Sequence, residues 1–168
     1  MRARDSAPEP GLSSPNPMSE LGKLLKQVEY HLKQGAAAKA LDSLARARST
    51  SPWASNATAV CFLRKGEAAR AVEILRRLVL DGSGFSLRTD IPVAFRCNFA
   101  IALLLDGNTP GCLGTLHELR AEQSPGLERL RKSIADWKAS LSWWQRIQFC
   151  FGGEVSTPIK LDGEIGEI

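Results

Sequence analysis

Four cysteines, two histidines and one glycine-rich loop are the residues of this chain whose types could do chemistry. Cys61, Cys97, Cys112 and Cys150 lie far apart, with no Cys-x-x-Cys pair among them. A structural metal site draws clustered ligands, and these are not clustered. Each cysteine sits inside an apolar stretch, the setting of a reduced, buried thiol in a reducing compartment. His31 has no second histidine, cysteine or acid at metal-ligand spacing. His117 stands beside Glu118, but no serine or cysteine is placed to be activated by that pair. The loop at 81–90, DGSGFSLRTD, could cradle a phosphate only with a strand before it and a lysine-serine or lysine-threonine step opening a helix after it. It has neither, so it reads as an insertion. These residues predict no catalytic, cofactor-binding or metal-binding set, and a chain that is not an enzyme.

The elements that position these residues are helical in pattern. Of the 168 residues, 43% are hydrophobic and 24% charged, a globular composition, and leucine, alanine and arginine favour helix. The most regular stretch runs from Asn56 to Leu80. Ala59, Phe62 and Leu63 form one apolar stripe, Gly66 breaks it, and Ala68, Ala71, Val72, Leu75 and Leu78 form a second. The preceding stretch has the same plan. Leu21, Leu24, Leu25, Val28 and Leu32 lead to Gly35, then Ala37, Ala40, Leu41, Leu44 and Ala47 lead to Pro52. Two helices joined by so short a turn must fold back on each other. From Gly35 and Gly66 alike, an alanine follows five residues on (Ala40, Ala71) and a leucine nine on (Leu44, Leu75), the self-similarity of a repeat array.

Those positions resemble the tetratricopeptide repeat family. Ala59, Phe62, Gly66, Ala71 and Leu75 carry the likeness in the second unit, and Gly35, Ala40, Leu44, Ala47 and Pro52 in the first. Val28 and His31 depart from the small and aromatic residues that the pattern asks for. A third, less regular unit places Ala100 before Gly107 and Cys112 and Leu116 after it, ten residues late because of the loop at 81–90. The fold expected is all-α: three imperfect hairpins, a long C-terminal capping helix and an extended tail. The resemblance implies a protein–protein interaction scaffold in which the first helices of successive hairpins line a groove for an extended peptide. The matching positions are Leu25, Glu29, Leu32 and Lys33, then Asn56, Val60, Leu63 and Arg64, then Cys97, Asn98, Ile101, Leu104 and Leu105. Leu25 and Glu29 stand where the family's basic clamp for acidic peptide ends would begin, which argues against a chaperone-tail receptor.

Segments flanking the repeats differ in composition. Residues 1–18 are rich in proline and serine and predict a disordered leader. Met18 stands at its end, and translation starting there would make the first 17 residues an extension. The domain expected spans 19–151, with Pro92 opening an apolar helix and Ser124-Pro125 opening the last one. In that last helix Leu127, Leu130, Ile134, Trp137, Leu141 and Trp144 form one stripe, suited to capping the array or to pairing two copies in a homodimer. Trp143, Trp144, Arg146, Phe149 and Phe151 would also suit a membrane surface, but the segment is short and modestly charged. Residues 152–168 alternate apolar and polar (Val155, Ile159, Leu161, Ile165, Ile168) and predict an extended tail, docked on the helical surface with its acids against basic side chains or offered to a partner.

Charge is uneven. Residues 18–151 carry 19 Lys and Arg against 12 Asp and Glu, while 152–168 carry one lysine against four acids. A basic body permits a second function, binding of nucleic acid or an anionic surface through Lys65, Arg70, Arg76 and Arg77. Positions 70, 76 and 77 do not share one helix face, and no exposed aromatics interleave with them, which argues against it. No apolar run approaches the roughly 18 residues of a membrane span, and no apolar core follows the N-terminal charges as in a secretory signal. A cytoplasmic scaffold with an unknown protein or peptide partner is the reading these features favour.

Overall fold

The computed structural model describes residues 17–84, 86–145 and 165–168. Its main helices are α1 (Pro17–Lys33), α2 (Ala37–Ala47), α3 (Pro52–Arg64), α4 (Ala68–Val79), α5 (Val93–Leu105), α6 (Thr109–Glu118) and α7 (Pro125–Ser140), with a 3-10 turn at Leu119–Ala121. No strand forms among the described residues. A lone antiparallel bridge joins Leu80 to Leu87 at the base of the 81–90 loop, where the Asp81 carboxylate accepts from the Ser83 and Gly84 amides. Chain order is packing order, since α1 packs on α2, α3 on α4 and α5 on α6.

Three glycines set the turns inside these pairs. Gly35, Gly66 and Gly107 take φ of 68°, 77° and 84°. Only glycine enters that left-handed region at little cost. Each turn closes with the same two main-chain bonds. Gly35, Gly66 and Gly107 donate to Leu32, Leu63 and Leu104, and Ala36, Glu67 and Asn108 donate to His31, Phe62 and Leu103. This double bond satisfies carbonyls that a helix end would otherwise orphan. Around each turn the same places are filled. Val28, Ala59 and Ala100, before the glycines, are fully buried, as are Ala40, Ala71 and Cys112 after them.

Serine and asparagine caps start α3, α6 and α7. The hydroxyls of Ser51 and Ser124 accept from the amides of Trp53 and Leu127 ahead of α3 and α7, each with proline in the first turn. Asn108 accepts from the Gly111 amide at 2.9 Å. A Cβ at position 111 would stand 2.7 Å from that asparagine side chain, so Gly111 makes room for the cap.

Two apolar clusters meet at α3. One gathers Val28, Leu32, Ala40 and Leu44 against Ala54, Ala57, Val60 and Cys61 of α3. The other runs from Ala59, Phe62 and Leu63 through Leu75, Phe95 and Leu103 to Leu119, Leu127, Leu130 and Ile134. Small residues on both sides of α3 let its neighbours approach closely. Ten consecutive residues of α5, Phe95 to Leu104, are buried. The Trp53 ring meets Phe95 edge-on at 4.9 Å. Arg131 of α7 donates to the Leu119 and Glu122 carbonyls, which closes the end of α6 and its 3-10 turn.

Several elements differ from expectation at their ends. Helix α1 begins at Pro17, two residues before Ser19. Ala47 is exposed rather than part of the α2 stripe, because α2 stops there and Arg48 turns the chain at φ 46°. The stripe of α7 is buried from Leu127 through Trp137 to Leu141 within the chain, but Trp144 is 66% exposed. The reason is local. Ser142 and Gln145 exchange side-chain and main-chain bonds, the Ser142 amide to the Gln145 carbonyl oxygen at 2.9 Å and the Gln145 amide to the Ser142 hydroxyl at 3.3 Å. That reciprocal cap starts a new helical turn at 143–145 and ends the old one at Leu141. The predicted disordered leader, apart from its last two residues, lies outside the described residues, as do Arg146, Phe149, Cys150, Phe151 and the tail from 152 to 164.

Candidate functional site

Two asparagines lie at the centre of the molecule, Asn56 on α3 and Asn98 on α5, both with no exposed surface. A buried amide without partners costs about 1–3 kcal/mol, so their presence on such apolar helices calls for partners. They find them in each other and in one other residue. The Asn98 side-chain nitrogen donates to the Asn56 oxygen at 2.8 Å and to the Glu167 carbonyl at 2.7 Å. The Asn56 nitrogen donates to the same carbonyl at 2.9 Å, and the Glu167 amide donates to the Asn98 oxygen at 2.9 Å. Every polar atom of the two side chains is used, and the main-chain N–H and C=O of Glu167 are both held.

Residues 165–168 are laid over α3 between the two apolar clusters. Ile165 packs against the larger cluster and Ile168 against the smaller. Arg64, at the end of α3, donates to the Ile165 carbonyl. Gly166 is buried at φ 80°, and a Cβ there would stand 3.0 Å from both methyl carbons of Val60. The Glu167 carboxylate meets Arg129 of α7 at 3.1 Å. It also lies over the first turn of α7, where a Cβ on Gly126 would come within 2.6 Å of it. The amide ends of a helix favour negative charge there. Beside the segment a cavity of about 410 Å³ is lined by Glu29, Leu32, Lys33, Arg64, Arg129 and residues 166–168.

The candidate groove residues divide accordingly, with Leu32 lining the cavity and Cys97 and Leu104 buried in the larger core. Asn56, Val60 and Asn98 touch residues 166 and 167, Arg64 holds Ile165, and Glu29 and Lys33 line the cavity, paired with each other at 2.7 Å. Leu25 packs, partly buried, against the smaller cluster. Leu63 and Ile101 belong to the larger core, and Leu105 is 39% exposed at the end of α5. Gly126 and Arg129 of α7 complete the site without having been expected there. Neither carries a pattern of its own, since a glycine after Pro125 and an arginine in a basic helix read as ordinary first-turn residues.

The chemistry-bearing residues are dispersed. Burial pushes the Cys61 thiol up to about 11 and the Cys97 and Cys112 thiols up to about 12, with the Glu167 charge adding to the rise at Cys97 and Arg129 opposing it. Thiols held protonated are poor nucleophiles. His31 is half-buried against Tyr30, and Glu118, beside His117, accepts from the Leu87 amide and so ties down the 81–90 loop. Among the described residues no three of His, Cys, Asp and Glu stand close enough to share a metal ion, and no helix is long and apolar enough to cross a membrane. On the basic side, Lys65 and Arg70 both pair with Glu67, Arg70 also covers the Phe62 ring at 4.0 Å, and Arg77 pairs with Glu73. Compared with protein-family models, with curated proteins and with solved structures, the chain matches none.

Proposed function

We propose that this chain is a non-catalytic, tetratricopeptide-like scaffold that binds an extended peptide across α1, α3 and α5. One observation carries the reading. Asn56 and Asn98 are buried, and the hydrogen bonds left after they pair go to the main-chain N–H and C=O of a segment that lies outside any helix, a grip on the peptide backbone itself. The repeated glycine turns support the hairpin array, which resembles that family's way of building a groove. Buried free thiols at 61, 97 and 112 suit a reducing, cytoplasmic setting. Binding of nucleic acid has weaker support, because three of its four basic candidates are paired with neighbouring acids, Lys65 and Arg70 sharing Glu67 and Arg77 meeting Glu73.

The test is photo-crosslinking in cells with a benzophenone amino acid at position 29, which lines the cavity, and at position 77 on α4. The expected outcome is crosslinked partners at 29 and not at 77, with the attachment sites in short extended segments of those partners. Equal capture at both positions, or attachment to folded surfaces only, overturns the peptide groove.

A further inference from the structure

The segment in the groove is held by features that depend on which residues it carries, and these define a recognition rule. At its first position an aliphatic side chain enters the larger core. At the second only glycine fits. The backbone there is left-handed, and any Cβ would press on Val60, which is fully buried and stiff at χ1 because it is β-branched on a helix. At the third, the asparagines hold the main chain while Arg129 and the first turn of α7 receive a carboxylate, with Gly126 clearing the space for it. At the fourth, an aliphatic side chain joins the smaller core.

We propose that the groove reads an aliphatic–glycine–acidic–aliphatic segment of a partner protein, and that Ile165-Gly166-Glu167-Ile168 is a built-in occupant which such a segment displaces. This rests on the peptide-groove reading above. The chain's own sequence shows how register is set. Gly163-Glu164-Ile165 repeats the Gly-Glu-Ile triplet three residues earlier, but Asp162 precedes it, and an acid does not belong in the apolar first site. The hold on the occupant is open to solvent along one edge, where exchange begins. Its ion pair is part-exposed at both ends, with 44% of the Arg129 side chain and 28% of the Glu167 side chain accessible. The adjoining cavity, with Glu29 and Lys33 on its wall, leaves room for a longer ligand to gain contacts that residues 165–168 do not make.

The experiment is fluorescence anisotropy with a labelled peptide of residues 161–168, titrated with the full chain and with the full chain carrying Gly166→Val. The variant cannot seat its own segment, so it is expected to bind the peptide at least about tenfold more tightly than the unaltered chain, as release of a tethered competitor requires. A peptide with valine in place of its second glycine, or lysine in place of its last glutamate, is expected to bind about tenfold more weakly or worse, the size of one lost contact of 1.4 kcal/mol. Helix content by circular dichroism checks that Gly166→Val folds. Should it not, Glu167→Lys in the full chain expels the segment by charge, without backbone strain, and the same tenfold gain is read from it. If all the peptides bind the emptied chain alike, the recognition rule fails while a peptide groove stands. If the emptied chain binds none of them and crosslinking at position 29 is empty too, both fail. If the parent peptide binds the unaltered and altered chains equally, the occupant does not compete and the proposal is overturned.

Discussion

The polar side chains of α3 and α5 and those of α4 solve the same problem at different range. On α4, Arg70 and Arg77 reach acids three and four residues away, at 2.6 Å each, with 62% and 77% of their side chains still in water. On α3 and α5, Asn56 and Asn98 are sealed from water and reach each other and a carbonyl 111 and 69 positions away. Local pairs on a wet surface contribute little and can be exchanged freely. Buried amides hold the chain to a single answer, because no water replaces a missing partner. Constraint on polar side chains is therefore concentrated where the segment lies, and the solvent face of α4 is free to vary.

The contrast is sharpest in pH dependence, where the largest effect is expected. The inner titratable groups are the thiols of Cys61, Cys97 and Cys112, held up to about 11, 12 and 12 by burial. Unfolded, each ionises near the ordinary thiol value of about 9. As pH rises past that value the unfolded chain sheds protons that the folded chain keeps, so stability present at neutral pH is lost between about 9 and 11–12, with a limiting slope of about 1.4 kcal/mol per pH unit for each retained proton. The outer groups behave oppositely and weakly. Local partners lower Glu67, chiefly Lys65, and Asp81, chiefly Ser83, so their contribution is lost only as pH falls below the usual carboxylate range. Thermal melts from pH 8 to 11 should show a steep decline that is flatter in Cys97→Ala. An unchanged slope in that variant would mean that the thiol is not held neutral by the fold.

Next in size is the asparagine pair. Asn98→Leu removes three of the four bonds that Asn56, Asn98 and the Glu167 main chain share, leaving the Asn56 side-chain oxygen and the Glu167 N–H without partners, and it is expected to cost about 2–3 kcal/mol in urea unfolding. Asn56→Ala combined with Asn98→Ala should cost clearly less than the two singles added, since each single already breaks the shared ring. Additive costs would show that the two side chains do not act as one unit.

How much of this could be read in the sequence follows the same division between near and far. The glycine turns at 35, 66 and 107 and the stripes around them were legible, because a turn residue and a helical period are properties of neighbours. Asn56, Val60, Arg64 and Asn98 could be grouped on one face of their helices by spacing alone, and that face is where residues 165–168 lie. Arg129 and Gly126 could not, since their partner lies 38 or more residues further on and nothing periodic links the two. The end of α7 was missed for a nearer reason. Ser142 and Gln145 spell a helix start, but they sit inside a run of apolar spacing from Leu127 to Trp144 that reads as one helix. When a capping signal and a hydrophobic period disagree, local hydrogen bonding ended the helix, and Trp144 was left in solvent.

The turn glycines provide a smaller test of the repeat. A Cβ on Gly66 would meet nothing within 4 Å, so Gly66→Ala isolates the cost of a left-handed backbone, about 1–2 kcal/mol. Gly35→Ala and Gly107→Ala meet equally open space and should cost the same within about 0.5 kcal/mol. Unequal costs would separate the third hairpin from the first two.

The smallest expected effect falls on α4 itself. Arg77→Ala breaks a pair with Glu73 whose side chains are 77% and 67% exposed, and exposed i,i+4 pairs contribute about 0.3–0.5 kcal/mol. The melting temperature should therefore move by about 1–2 °C at most for a chain of this size. Affinity for a groove peptide should not move, because Arg77 pairs with Glu73 of its own helix, whereas the segment is held by Asn56, Asn98 and Arg129. Asn98→Leu must do the reverse and lower both together. If Arg77→Ala weakened binding while leaving stability intact, the outer helix would be part of the recognition surface, and the separation of a constrained inner face from a free outer one would be wrong.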